Sequence, residues 1–542
     1  MSILALDNVS VRLPPKADRP FALENVSLQL NENEILCVVG ESGSGKSMTA
    51  NAIMRLLPPG VAVSQGTISF ADRDLVAMDE VSLRKVRGAE IAMIFQEPMT
   101  ALNPLRTIGD QIGEMYRTHT NLGRSDIDAK VLTLLGEVGI PEPTSAIRAY
   151  PHELSGGQRQ RAMIAMALAL GPRVLIADEP TTALDVTTQA RILKLIKDLQ
   201  RDKGTAVLFI THDFGVVAEI ADRVVVMQNG RVVEQGTVAQ VLQNPQHPYT
   251  RQLLAAVPPL QAPPPRMLAS KTILAASGLT KTYRKSGLFG RGKRETHALD
   301  NVSITLPRGA TLGVVGESGS GKTTLARCII RLIDPDAGSI DIEGIDFAHL
   351  SRSELRRASD RVQMVFQDPF GSLNPRRRAG ELVAQGPIAH GTSRREAWER
   401  ARELFALVGL DPEATERYPH EFSGGQRQRI GLARALALKP KLLIADEPVS
   451  ALDVSVQAQV LKLLKKLQTD LDLSILFITH DLRVAAQVSD HIAVMKDGIV
   501  VETGRAADVF TNPKHDYTKA LLASIPGRNL HQTASQAVPP QS

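Results

Sequence analysis

At 542 residues the chain is too long for one core, given about one domain per 150 residues. Sixty-three Lys and Arg against 58 Asp and Glu leave a formal charge of +5, and 43% of residues are hydrophobic, which excludes a disordered or collagen-like chain. So small a charge is no footprint for neutralising many phosphates, and no nucleic-acid partner is expected. Two cysteines, Cys37 and Cys328, are too few for a disulfide framework or a cysteine-bound metal centre, and fit a reducing cytoplasm. The longest uninterrupted apolar run, residues 162–170, stops at Gly171, Pro172 and Arg173, well short of a membrane span. Residues 1–20 carry Asp7, Arg12, Lys16, Asp18 and Arg19 and are not expected to be a signal peptide.

In chain order, Pro14, Pro15 and Pro20 interrupt the first strands, as an antiparallel edge would tolerate. Residues 35–39, ILCVV, predict a buried strand feeding the glycine turn GESGSGK at 40–46. FQEP at 95–98 and LNP at 102–104 come next, then SGGQRQR at 155–161, opening a helical run. Apolar strands are predicted over 174–177, ending in Asp178 and Glu179, and over 207–210, running into Thr211, His212 and Asp213. Tyr249 lies near the close of this series.

The series then repeats. GESGSGK returns at 316–322, FQDP at 366–369, LNP at 373–375, SGGQRQR at 423–429, IADEP at 444–448, FITHD at 477–481 and a tyrosine at Tyr517. A repeat this long is no solenoid, so the chain holds two copies of one domain. The proline-rich stretch 258–271 reads as an extended, semi-rigid linker. It separates a first domain at 1–257 from a second at 272–526, with a tail at 527–542. The apolar runs at 311–315, 442–445 and 475–478 mirror those of the first copy, and their alternation with helical stretches argues an α/β fold with mainly parallel sheets.

The chemistry follows from residue types in these places. Gly40, Glu41, Ser42, Gly43, Ser44, Gly45, Lys46 and Ser47, after an apolar strand, fit a phosphate-binding loop. Gly316, Glu317, Ser318, Gly319, Ser320, Gly321, Lys322 and Thr323 fit it again. Glycines let successive N–H groups face an anion, and the following helix start adds its positive dipole end. Lys46 and Lys322 are expected to reach the β and γ phosphates, and Ser47 and Thr323 to hold Mg²⁺. Asp178 and Asp446 end apolar strands, a costly place for a charge unless it meets a cation, and are expected to take Mg²⁺ through water. Glu179 and Glu447 sit one step nearer the γ phosphate. A general base there is worth ~10²–10⁴ in rate, or roughly 3–5 kcal/mol. One such pair alone reads equally well as capping acids before Pro180 or Pro448. Ser155, Gly156 and Gly157, with Ser423, Gly424 and Gly425, offer a second set of anion-facing groups.

Phosphate loop, glutamine (Gln96, Gln367), SGGQ, the acidic pair, Ala183-Leu184-Asp185 and His212 or His480 resemble, in this order, the ATP-binding-cassette ATPases, nearly throughout the chain and twice. The resemblance implies two P-loop cassettes in tandem, each with a mainly parallel core sheet, an antiparallel β subdomain and a helical subdomain. It also implies head-to-tail pairing. One ATP site would then combine Lys46, Ser47, Gln96, Asp178, Glu179 and His212 with Ser423, Gly424 and Gly425. The other would combine Lys322, Thr323, Gln367, Asp446, Glu447 and His480 with Ser155, Gly156 and Gly157. By the same resemblance Gln96 and Gln367 join the Mg²⁺ ligands, and the two histidines bond the γ phosphate. Tyr283 would stack on adenine, whereas the first copy has Leu13 there unless Phe21 substitutes, so unequal nucleotide affinities are expected.

QEPMTALNP, QDPFGSLNP, NPQHPYTRQLL and NPKHDYTKALL resemble the oligopeptide and dipeptide importer branch, and the fused pair is most similar to the Yej-type oligopeptide and microcin C importers. Fused glutathione importers, or other dipeptide or nickel importers, are the alternative. Soluble tandem-cassette factors of translation or DNA repair are a different class: the short proline-rich linker departs from the long charged linker of the former, and the sequence has no counterpart of the coiled-coil or zinc-bearing insertions of the latter. The resemblance implies two transmembrane permease subunits, a periplasmic peptide-binding protein acting indirectly, and a peripheral place at the cytoplasmic face of the inner membrane. Many relatives in this branch bear an iron–sulfur cluster on a cysteine-bearing tail; with only Cys37 and Cys328, both inside apolar segments, none is expected here. The basic stretch 284–294 reads either as a solvated hairpin tip or as a contact for anionic lipid or permease.

Overall fold

The structure is a computed structural model that describes residues 1–528 except Lys16, 98–100, 182–183, Pro265, Ala269, 286–293 and Ala451. Pro98 of FQEP, Ala183, most of the basic stretch at 284–294 and the tail beyond Arg528 lie outside the described residues. The chain divides into two compact units, Met1–Val257 with the chain end from Pro526, and Pro258–Ile525.

Among its described residues the first unit contains ten strands: β1 (Ser2–Arg12), β2 (Phe21–Asn31), β3 (Ile35–Val39), β4 (Val63–Phe70), β5 (Arg73–Asp74), β6 (Ile91–Ile94), β7 (Val174–Asp178), β8 (Ala206–Thr211), β9 (Arg223–Gln228) and β10 (Arg231–Thr237). They form an antiparallel sheet in the order β2-β1-β4-β5 and a second sheet in the order β10-β9-β3-β8-β7-β6. The second sheet is parallel except for β10, which runs antiparallel to β9. Every residue of β3, β6, β7 and β8 is buried, the pattern of strands covered on both faces. Leu36, Val38, Ile176 and Leu208 share one core with Val9, Leu23, Ile68 and Phe70 of the antiparallel sheet, and the helix Lys46–Ile53 contributes Ala50 and Ile53. The helices Ile108–His119, Arg124–Glu137 and Gly156–Leu168 add buried Ile112, Val131, Leu135 and Ile164.

The proline expectation needs correcting. Pro14, Pro15 and Pro20 lie in the connection between β1 and β2, which Leu13 N–H closes onto Pro20 O at 2.9 Å. The ladder explains this, because β1 is an interior strand between β2 and β4, where a residue without an N–H would break pairing.

The second unit repeats the plan with β11 (Thr272–Lys285), β12 (Arg294–Pro307), β13 (Thr311–Val315), β14 (Ala337–Ile342), β15 (Ile345–Asp346), β16 (Val362–Val365), β17 (Leu442–Asp446), β18 (Ser474–Ile478), β19 (His491–Lys496) and β20 (Ile499–Arg505). Their orders are β12-β11-β14-β15 and β16-β17-β18-β13-β19-β20. The stretch read as a spacer packs on this unit: Arg266 makes a two-pronged pair with Asp490 at 2.7 Å on each side and donates to Gly309 O at 2.8 Å, while Leu268 packs against the core. Cys37 and Cys328 are both buried. Among the described residues no helix is long and apolar enough to cross a membrane.

Candidate functional site

In a parallel sheet the loops at the carboxyl ends of neighbouring strands open onto one edge. β6, β7, β8 and β3 are adjacent, so Gln96, Asp178 with Glu179, His212 and the Gly40–Ser47 loop gather there although they are far apart in sequence. Gln367, Asp446 with Glu447, His480 and the Gly316–Thr323 loop follow β16, β17, β18 and β13 in the same way.

The glycine turn is dictated by close approach. Gly45 has φ 105°, and a Cβ there would stand 2.9 Å from Leu23 Cδ2 and 3.1 Å from Ala22 O. Gly321, at φ 101°, would meet Ala298 O. No side chain caps the helices that follow, Lys46–Ile53 and Lys322–Ile329, so their first N–H groups remain directed at the loop. Lys46 is 5% exposed and its Nζ donates to Gly40 O and Glu41 O at 2.7 and 2.9 Å. Lys322 Nζ does the same to Gly316 O and Glu317 O at 2.8 and 2.7 Å. The first loop has a further partner, Arg19 Nη2, which donates to Gly43 O at 2.6 Å.

Ser47 Oγ donates to Asp178 Oδ1 at 3.0 Å, and Thr323 Oγ1 to Asp446 Oδ1 at 3.2 Å. Burial pushes both aspartates up to about 6; the adjacent Glu179 and Glu447 add to the rise, and the hydroxyl bonds and nearby lysines oppose it. Hydroxyl and carboxylate oxygens suit a hard cation such as Mg²⁺, and a buried carboxylate that resists ionising gains most from one.

The next residue turns back on itself. Glu179 and Glu447 both have φ 47°, a left-handed conformation that costs a non-glycine residue of order 1–3 kcal/mol. Their N–H groups bond Ile210 O and Ile478 O at 3.0 and 2.9 Å, which holds the turn against the neighbouring strand. Each carboxylate then meets a glutamine and a histidine. Glu179 accepts from Gln96 Nε2 at 3.2 Å and lies 3.3 Å from His212 Nδ1; Glu447 accepts from Gln367 Nε2 at 2.9 Å and lies 3.2 Å from His480 Nδ1. Burial raises the Glu447 carboxyl, but His480, Lys322 and Gln367 together outweigh it and hold the group below the usual range. Burial lowers His480, and its bond and charge contact with Glu447 win, raising it.

Ser155 and Ser423 cap the helices Gly156–Leu168 and Gly424–Leu436 in reciprocal boxes with Gln158 and Gln426, so each serine oxygen already accepts a backbone N–H. The first of these helices is tied to the acidic turn, Gln160 Nε2 donating to Pro180 O at 2.8 Å. Tyr283 is 39% exposed on β11. Register makes Leu13 the counterpart of Tyr283: Val9 pairs with Val26 as Leu279 pairs with Val302, and Leu13 and Tyr283 each lie four residues further on. Leu13 packs against the core, and Phe21 has the Arg12 guanidinium 5.7 Å from its ring centroid.

Sequence reasoning missed the left-handed glutamates and the tyrosines near each unit's end. Glu41 N–H donates to Tyr249 Oη at 3.1 Å, and Glu317 N–H to Tyr517 Oη at 3.2 Å. The only available signal was that Tyr249 and Tyr517 keep the spacing of the repeat.

A strand–glycine loop–helix with carboxylates ending the neighbouring strands defines a P-loop nucleotide-binding domain, present here twice. Residues 23–182 and 299–450 match the family described as ABC transporter, and 233–276 and 501–541 match the oligopeptide/dipeptide transporter C-terminal region. The chain is 51% identical over 541 residues to the peptidoglycan transport ATP-binding protein YejF of Agrobacterium fabrum, covering 99% of this chain and 98% of that one. It is 47% identical over 558 residues to the glutathione import ATP-binding protein GsiA of Escherichia coli O157:H7, covering 97% and 90%. Among solved structures, the dimeric post-hydrolysis state of the cassette MJ0796 bound to ADP and Pi aligns at 32% identity and a TM-score of 0.40, over 43% of this chain and 98% of that one. The chain belongs to the ABC transporter family: it is a tandem-cassette, ATP-binding and ATP-hydrolysing importer protein.

Proposed function

We propose that this protein energises peptide import, with one ATP bound at each phosphate loop and the two cassettes closing head to tail around both. The observation that carries the reading is that both units keep a full set: loop lysine, hydroxyl–aspartate pair, and a glutamate bonded to glutamine and histidine. A purely structural second copy would have no need of it.

In this reading Lys46 and Lys322 exchange their loop carbonyls for β and γ phosphate oxygens. Ser47 with Asp178 and Gln96, and Thr323 with Asp446 and Gln367, are the Mg²⁺ set. Bound there, Mg²⁺ neutralises developing charge on the phosphates. Glu179 and Glu447 orient the attacking water and take its proton, and a glutamate held below its usual pKa, as Glu447 is, stays ionised for that task. His212 and His480, on the same carboxylates, bond the γ phosphate. Ser423, Gly424 and Gly425 close over the first site, and Ser155, Gly156 and Gly157 over the second. N–H groups at a helix start supply the donors that one phosphate loop leaves unmet.

The oligopeptide/dipeptide C-terminal match favours peptides as cargo; the GsiA relative, named for glutathione import, supports glutathione as the second reading. Two membrane permeases and a periplasmic binding protein complete the assembly, with this chain peripheral on the cytoplasmic face of the inner membrane. Glu179→Gln with Glu447→Gln should bind ATP and hydrolyse it at under about 1% of the normal rate, as expected for losing a general base. Normal turnover by that double variant overturns the glutamate assignment. Co-purification without hydrophobic subunits overturns the transporter assembly.

A further inference from the structure

Each phosphate loop is gripped from a second direction by the far end of its own unit. Glu41 gives its carbonyl to Lys46 Nζ at 2.9 Å and its N–H to Tyr249 Oη at 3.1 Å, and the phenol lies 3.4 Å from Glu41 Oε2, placed to donate to it. Glu317 gives its carbonyl to Lys322 Nζ at 2.7 Å and its N–H to Tyr517 Oη at 3.2 Å. The residue at the loop's entrance is therefore fixed at both backbone ends.

The tyrosines are themselves seated by a short relay, built twice from the same residue types. Tyr249 opens the helix Pro248–Ala256, and its N–H donates to His247 Nδ1 at 3.2 Å. Glu234, on β10, accepts from the N–H groups of Gln246 and His247 at 2.7 and 3.1 Å. In the second unit Tyr517 N–H donates to His515 Nδ1 at 3.1 Å, and Glu502, on β20, accepts from Lys514 and His515 at 2.8 and 3.1 Å. Carboxylate, imidazole and phenol thus run from an edge strand to the phosphate loop across about 200 residues of sequence. All of these relay residues lie within the segments that match the oligopeptide/dipeptide C-terminal region.

We propose that Tyr249 and Tyr517 are positioning residues through which each unit's C-terminal segment holds its phosphate loop in the shape that binds nucleotide. A loop whose N–H groups must converge on an anion binds more tightly when its entrance cannot swing, because ordering is completed before the ligand arrives. The Glu41 and Glu317 N–H groups are committed to the phenols and are not phosphate donors. The first unit depends on this link more: Tyr249 is buried, where water cannot take over its bond to Glu41, whereas Tyr517 is half-buried, with Lys496 Nζ 5.0 Å from its ring centroid.

The inference rests on the loops being ATP sites, and the test separates the two. In the full-length chain, Tyr249→Phe in a Lys322→Ala background makes binding of a fluorescent ATP analogue report the first site. Removing one hydroxyl is expected to weaken that binding about 2- to 10-fold. Tyr517→Phe in a Lys46→Ala background is expected to fall at the low end of that range. In the otherwise unaltered chain Tyr249→Phe should raise the KM for ATP and leave kcat in place, a split that loss of packing would not give. His247→Ala, which unseats the tyrosine and keeps its phenol, should weaken binding in the same direction. Unchanged affinity in both Tyr249→Phe and His247→Ala overturns the proposal. Retention of ATP by Lys46→Ala with Lys322→Ala overturns instead the assignment of the loops.

Discussion

Replacing Asp178 by asparagine tests whether this carboxylate waits for a cation. The side chain is 4% exposed, and burial carries its pKa from 3.8 to about 6. A rise of about two units corresponds to roughly 3 kcal/mol of cost for ionising it in the fold. The folded state holds the proton more tightly than the unfolded one, so the group imposes no cost below about pH 4. It costs progressively more as pH rises towards 6, and the full amount by pH 7. Asparagine keeps the shape and an acceptor for Ser47 and cannot ionise. Without nucleotide or metal, Asp178→Asn should therefore match the unaltered protein near pH 4 and exceed it at pH 7. At about 2–4 °C per kcal/mol, the gain in unfolding temperature is at most roughly 6–12 °C, read by calorimetry as a function of pH. Adding Mg²⁺ and ATP should reverse the order, since the unaltered site gains stability from ligand and the variant forfeits most of that gain. A pH-independent difference between the two proteins, or equal stabilisation of both by Mg²⁺ and ATP, would refute the reasoning.

Two further outcomes follow from differences between the copies. With Tyr283 exposed for base stacking and the buried-side Leu13 in its place in the first unit, ATP should bind more weakly in Lys322→Ala than in Lys46→Ala, by about 1–3 kcal/mol in equilibrium dialysis. Equal affinities would remove the asymmetry. A methyl group at Gly425 would overlap Val456 Cγ1, whereas one at Gly157 would lie 3.6 Å from Leu184 Cδ2, an ordinary contact. Gly425→Ala should therefore displace its helix start and cut steady-state hydrolysis severalfold more than Gly157→Ala does; equal losses would contradict the packing difference.

The chemistry-bearing motifs were legible in the residues because each is local. A strand that must be buried reads as ILCVV or TLGVV, a turn that must admit backbone at φ near 100° reads as glycine, and a carboxylate at a strand end shows itself against its apolar neighbours. The repeat was legible too, since identical local constraints recur in the same order. The prolines at 14, 15 and 20 were misplaced because the sequence shows that β1 and β2 are interrupted but not that β1 is an interior strand. Tertiary structure alone decided the left-handed Glu179 and Glu447, which neighbouring-strand bonds hold in a conformation their residue type disfavours. It alone decided the rise of Asp178, which comes from burial, the docking of Arg266 on Asp490, and the reach of Tyr249 to Glu41. Motifs record what a short stretch of backbone must do; desolvation, and partners brought together by sheet order, are properties of the packed whole.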